Sequence, residues 1–324
     1  MAGWILHGTG KGTILMIYEF AVEPAAIDNW KDFRFIYDQV GVEHGRLISR
    51  FPRKWVAMVI DALKLNPQMR DIERTRIVEK LRNSDNKIAR MNRPYDPAMN
   101  WMLNVQTQQK QKPFNAVVGR RNEIDADNFL NIADLDDTYP LWKISTDAVV
   151  PRKAWELACC ARLLMQISRK IIIIDPNFDP VKSRFIETFS HLITFACDQH
   201  TPERLELHAE YGFFKEQRRE NDWKSDCFKN LSPLIPECLS IEVFQWEAKL
   251  SGDKPHARYI LTEFGGIRYD YGIDEGEGQT TDVSLLGHKA YEQRWRNYQE
   301  ETAAYHRYDK FTVTGSKINP GKDT

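Results

Sequence analysis

Long apolar runs are missing from this chain. No window approaches about eighteen consecutive apolar residues, so no transmembrane helix and no membrane insertion is expected. Cysteine is scarce: five residues, an odd number, with no Cys-x-x-Cys spacing. That argues against a disulfide framework or a zinc ribbon and predicts free thiols in a reducing, cytoplasmic setting. The N-terminus lacks a basic region followed by an apolar core, so no secretory signal is expected. A true phosphate loop is also missing. The run from His7 to Thr13 (HGTGKGT) has the wrong glycine interval and precedes a strand pattern, so it reads as a hairpin turn. Metal-ligand spacings, internal repeats and low-complexity segments do not occur, and no cofactor is implied.

What remains is an ordinary globular composition, 42% apolar and 11% aromatic over 324 residues, long enough for two domains or one large one. Net charge is −1, but it is unevenly spread. From Lys31 to Arg93 fifteen lysines and arginines face eight acidic residues, an excess of +7, so the remainder carries −8. A basic lobe joined to an acidic one suits a nucleic-acid or phosphate-rich partner; the plainer alternative is a set of solvated helix faces. Arg46, Arg50, Arg53 and Lys54 lie close together, and the first three fit one helical face, which suggests phosphate-backbone contact.

Periodicity predicts a strand over 11–22 and helices over 24–48, 52–65 and 70–90, with a short one near 101–109 and an exposed linker at 108–112. From 113 the pattern alternates. Strands are expected at 113–119, 171–174, 204–210, 239–246 and 256–262 and after Gly266, with helices at 152–169, 181–198 and 221–231. The four isoleucines 171–174 are what a parallel strand buried on both faces requires. Residues 1–112 thus read as a basic, mainly helical region, 113–314 as an α/β domain and 315–324 as a disordered tail. Asp175 and Asp179, which follow the isoleucines, read as helix caps or as neighbours of a site. Glu275, Glu277 and Asp282 read as a solvated loop bordering that site. Trp246, Tyr269 and Tyr271 read as core or as base-stacking platforms.

The chemistry concentrates at 256–286. His256, Arg258 and Glu263 sit on an apolar run, and on a strand His256 and Arg258 share a face. An imidazole beside a guanidinium can attack and clamp a phosphate group. The interval His256-Ala257-Arg258, four residues, then Glu263 resembles the phospholipase D superfamily, whose signature is His-x-Lys, four residues, then Asp. The continuation GGIRYDYGIDEG is similar to the phospholipase-D-like domain at the C-terminus of microtubule-interacting-and-trafficking proteins and their bacterial relatives. There the corresponding residues are His256, Arg258, Gly265, Gly266, Gly272 and Asp274. The resemblance covers about 165–290. It implies a phospholipase-D-like α/β/α sandwich and metal-independent phosphodiesterase chemistry on nucleic acid, in a setting such as bacterial defence. His256, Arg258 and Glu263 would be catalytic, and Asp274 would lie in the phosphate site.

Three departures matter. Lys is replaced by Arg, Asp is replaced by Glu, and one motif stands where the enzymes use two. A homodimer sharing one site would supply the second histidine. The alternative is a non-catalytic module that binds a phosphate group and recruits a protein partner through the N-terminal region.

Overall fold

The computed structural model describes residues 13–136, 138–211, 220–250 and 254–317. The expected turn at 7–13, apart from Thr13, and the last seven residues of the expected tail lie outside them. The chain divides into two compact units, 17–146 and 147–317, the second also taking in Thr13–Met16.

The first unit is built on a parallel sheet. β1 (Tyr18–Val22), β2 (Arg46–Ser49), β3 (Ile88–Ala89), β4 (Ala116–Gly119) and β5 (Phe129–Asn131) run in the order β3-β2-β1-β4-β5. Helices α1 (Trp30–Gln39), α2 (Trp55–Leu65), α3 (Asp71–Arg82) and α4 (Trp101–Gln111) make the crossovers. Alternate residues of the central strands feed opposite cores. Phe20, Val22, Ile48 and Val118 meet Phe33, Val59, Ile77 and Trp142 on one face. Ala21 and Val117 meet Trp101, Met102 and Phe114 on the other. Asn29 and Asn100 cap α1 and α4, each accepting a backbone N–H at 2.8 Å.

A mainly helical N-terminal region is therefore corrected, and so is the boundary at 112. The strand at 113–119 belongs to the first sheet, beside β1. The helix expected over 24–48 is interrupted at Gly41 and Gly45, whose φ values of 145° and 68° suit glycine. Arg46 lies beyond them on β2, buried. It donates to the carbonyls of Trp142 (2.7 Å), His44 (3.2 Å) and Gln39 (3.3 Å). It cannot reach a nucleic-acid backbone. Arg46→Ala strands buried carbonyls and is expected to lower stability by about 1–3 kcal/mol, read from denaturant unfolding.

The second unit is a mixed eight-stranded sheet. Its elements are β6 (Asp147–Pro151), α5 (Ala154–Cys160), α6 (Arg162–Ile167), β7 (Lys170–Ile174), α7 (Ser183–Ala196), β8 (Arg204–Glu210) and α8 (Glu220–Leu231). After them come β9 (Ser240–Glu247), β10 (Arg258–Thr262), β11 (Gly265–Tyr269), β12 (Thr280–Leu285), α9 (His288–Asn297) and β13 (His306–Thr314). The order is β13-β9-β8-β7-β10-β11-β12-β6. β7, β8 and β9 are parallel, and β10 turns antiparallel against β7. Tyr259 and Leu261 point to a core shared with Tyr291, Trp295 and Tyr298 of the α9 segment. Tyr269, cross-strand from Arg258, points the other way and donates to the Leu157 carbonyl of α5 at 3.0 Å. Helices thus cover both faces. No helix among the described residues is long and apolar enough to cross a membrane. Burial pushes the Cys159 and Cys160 thiols up to about 12, so neither is a reactive thiolate.

Candidate functional site

The isoleucines of β7 are fully buried, and the chain leaves this strand at Asp175. Because β10 pairs antiparallel with β7, with Tyr259 opposite Ile174, the approach to β10 lies against Asp175. Antiparallel pairing is what gathers the site. Arg258 Nε stands 3.8 Å from Asp175 Oδ1, and Arg258 Nη1 donates to the His256 carbonyl at 2.7 Å. Arg258 Nε is buried without a hydrogen-bond partner among the described residues. His256 precedes the strand and is exposed. Its Nδ1 lies 2.9 Å from the Lys254 carbonyl. A carbonyl only accepts, so Nδ1 is the donor in this contact.

Glu263 lies at the other end of β10. Four residues of strand, five steps, separate it from Arg258, about 17 Å at the usual rise. Its carboxylate accepts the backbone N–H groups of Arg169 (2.7 Å) and Lys170 (3.0 Å), tying the start of β7 to the turn after β10. Its expected role beside His256 is therefore corrected. Asp175 is the carboxylate that stands beside Arg258. Asp175 accepts the N–H of Asn177 (2.9 Å) and of Ile273 (3.1 Å), which anchors the loop after β11. Asp274 in that loop is buried and holds Arg152 Nη2 at 2.7 Å and Arg184 Nε at 3.3 Å. It orders two arginines and, as an anion, cannot itself contact phosphate. At Gly272, with φ of 142°, a Cβ would meet Asp274 Oδ1 at 2.5 Å, so only glycine brings the loop this close.

No family model matches this chain. No curated protein matches it either. A solved structure of TrmBL2, an archaeal chromatin protein with a novel mode of DNA binding, is similar with a TM-score of 0.27 and 9% identity, covering 50% of this chain and 55% of that one. The chain thus spans about half the length of that protein, and at this score the likeness decides neither fold nor function.

Other expected residues separate by environment. Asp179 does not cap α7: its Oδ1 accepts the Val181 N–H at 3.2 Å, closing the turn before the helix. Glu275 accepts the Ala154 N–H at 2.9 Å, at the start of α5. Asp282 lies within β12. Trp246 and Tyr269 are core, and Tyr271 is exposed with Arg152 over its ring at 5.6 Å. His208 is wholly buried; its Nδ1 accepts Trp246 Nε1–H at 2.8 Å and its Nε2–H donates to Glu206 at 2.9 Å. It braces the core and offers nothing to a ligand.

Glu210 ends β8 close to this group. Burial raises its carboxyl, opposed by Lys254 and His256. Lys254 is a sequence neighbour of His256, whereas Arg152, Arg184 and Glu210 arrive by tertiary folding, for which the sequence carried no local signal.

Burial raises Asp175 to about 6, against its two N–H donors and Arg258. A carboxyl raised on folding binds its proton more tightly in the native state, so its stability contribution is full below the ordinary value of 3.8 and is lost as pH rises through about 6. Urea unfolding of wild type and Asp175→Asn from acid to neutral pH is expected to show the difference moving against the wild type over that window. A pH-independent difference would contradict it.

Proposed function

We propose that residues 147–317 form a phospholipase-D-like α/β/α unit that cleaves phosphodiesters of nucleic acid, with the site completed by a second copy of the chain. The observation that carries this reading is the contact of His256 Nδ1 with the Lys254 carbonyl at 2.9 Å, two residues before Arg258. Donation from Nδ1 to the Lys254 carbonyl leaves Nε2 of the neutral ring for attack, and Arg258 Nη1 holds the backbone carbonyl of the same residue. That is the form a nucleophilic imidazole needs. Nε2 attacks phosphorus, an N–P bond forms, and the bond from phosphorus to the leaving oxygen breaks. The partly exposed guanidinium of Arg258 offsets the developing charge on the non-bridging oxygens. The leaving oxygen takes a proton from the imidazolium of the second copy's histidine. That histidine, now neutral, then deprotonates a water that displaces the phosphoryl group and releases His256.

A non-catalytic phosphate-binding module is the second reading. What favours it is Asp175, which stands beside Arg258 and offsets its charge. Assembly separates the two. A shared site requires a homodimer, so light scattering under conditions of cleavage is expected to show a dimer, with specific activity falling on dilution below its dissociation. A strict monomer that cleaves would overturn the shared site.

A further inference from the structure

Doubly wound parallel sheets receive ligands beyond the carboxyl ends of their strands, most often where the strand order reverses. In residues 17–146 that reversal lies between β1 and β4, and it is closed. A Cβ built on Gly119 would lie 2.8 Å from Glu23 Oε2 and 2.8 Å from Met102 Cε. The Glu23 carboxylate there accepts the Arg120 N–H at 3.1 Å. A nucleotide phosphate would meet a filled crevice and an anion.

To one side, past β2, the edge is open and cationic. Arg50, Arg53 and Lys54 occupy the turn from β2 to α2, and with Val56, Ala57 and Ile60 they line a depression of about 550 Å³. Arg50 Nε donates to the Arg53 carbonyl at 3.0 Å, bracing the turn. Lys54 occupies the cap position of α2, and no side chain caps the helix. A cation at a helix N-terminus opposes the dipole, and an arriving anion relieves that conflict. Burial and the neighbouring Arg90 and Arg53 all work against Arg50's charge. Asp85, which supports Arg50's charge, is itself engaged by Arg90 at 2.6 Å. Among the described residues no carboxylate forms an ion pair with Arg50, Arg53 or Lys54.

We propose that this edge, formed by Arg50, Arg53 and Lys54 over the aliphatic face of α2, binds the phosphate backbone of a nucleic-acid strand without reading its sequence. Three features favour a strand over a free nucleotide. The depression is shallow, its cations stand side by side, and its walls are aliphatic with no aromatic ring or amide to recognise a base. These residues belong to the 17–146 unit and His256 to the other, and equilibrium binding requires no turnover, so this inference can fail while the cleavage reading stands, and the reverse.

The test is fluorescence anisotropy of a labelled random-sequence oligonucleotide with the full chain across a salt series. Arg50→Ala/Arg53→Ala/Lys54→Ala is expected to weaken binding at least about tenfold and to lower the slope of log K against log salt by about two to three. Arg50→Lys/Arg53→Lys is expected to retain most of both, and circular dichroism melting checks that the folds persist. Unchanged affinity and slope in the triple variant, or no strand binding by the wild type, would overturn the proposal. So would displacement of the strand at lower concentration by ATP, which would mark a small-nucleotide site, or by polyglutamate, which would mark an acidic protein partner.

Discussion

Arg93→Met is expected to destabilise the 17–146 unit by about 3–5 kcal/mol, because it leaves a buried carboxylate without its counter-charge. Glu19 projects from the central strand β1; its side chain is 8% exposed and that of Arg93 3%. Arg93 Nη2 and Nε hold the two oxygens of Glu19 at 2.6 and 3.1 Å, a bidentate pair. Ser49 donates its hydroxyl to Glu19, and Arg93 stacks over Phe114 at 3.8 Å and donates to the Lys112 carbonyl. Glu19→Gln/Arg93→Met removes both charges and is expected to recover much of the loss, since an uncompensated buried charge costs more than a missing pair. Urea unfolding of the two variants reads the difference. Equal destabilisation by the single and the double change would mean that the pair is not electrostatically coupled.

Arg93 also shows why the first half was hard to read. Its charge counted toward the +7 excess, yet it is spent inside the fold, as is that of Arg46. A sum over sequence cannot separate a cation that stabilises a core from one that meets a partner. The strands of this unit are two to five residues long, too short for a period-two signal to stand out. Arg46 broke the apolar pattern of β2, and the real stop signals were Gly41 and Gly45. The α/β alternation after 165 was legible because four consecutive β-branched residues admit few alternatives and glycine-rich turns flank the later strands. β6, β12, α9 and β13 lacked such signals. β12 was hidden because Asp282 and its acidic neighbours read as loop. At the site, the adjacency of His256 and Arg258 was local and therefore visible. Asp175 enters through antiparallel pairing of β10 with β7, which local pattern does not encode. Glu263 shows the converse error: a familiar interval along a strand places its ends far apart, and here it serves the other edge of the sheet.

His256→Ala is expected to reduce phosphodiester cleavage on the order of 10⁴-fold or more, since loss of a nucleophile removes the step and not one contact among many. The side chain is exposed and its hydrogen bond runs to a neighbouring backbone carbonyl, so the fold should survive. Arg258→Ala is expected to act differently. It frees Asp175 from its cationic neighbour and removes the proposed phosphate clamp, so it should reduce both affinity and rate and also shift stability. In a binding module the wild type would show no turnover, and phosphate affinity would fall chiefly with Arg258→Ala.

The most direct measurement is cleavage of a labelled oligonucleotide by wild type, His256→Ala and Arg258→Ala in EDTA, with acid-quenched and base-quenched samples examined for phosphate on His256. Cleavage by the wild type, an adduct that survives base and is lost in acid, and neither signal in His256→Ala is the result expected. Metal-dependent cleavage that persists in His256→Ala would contradict it.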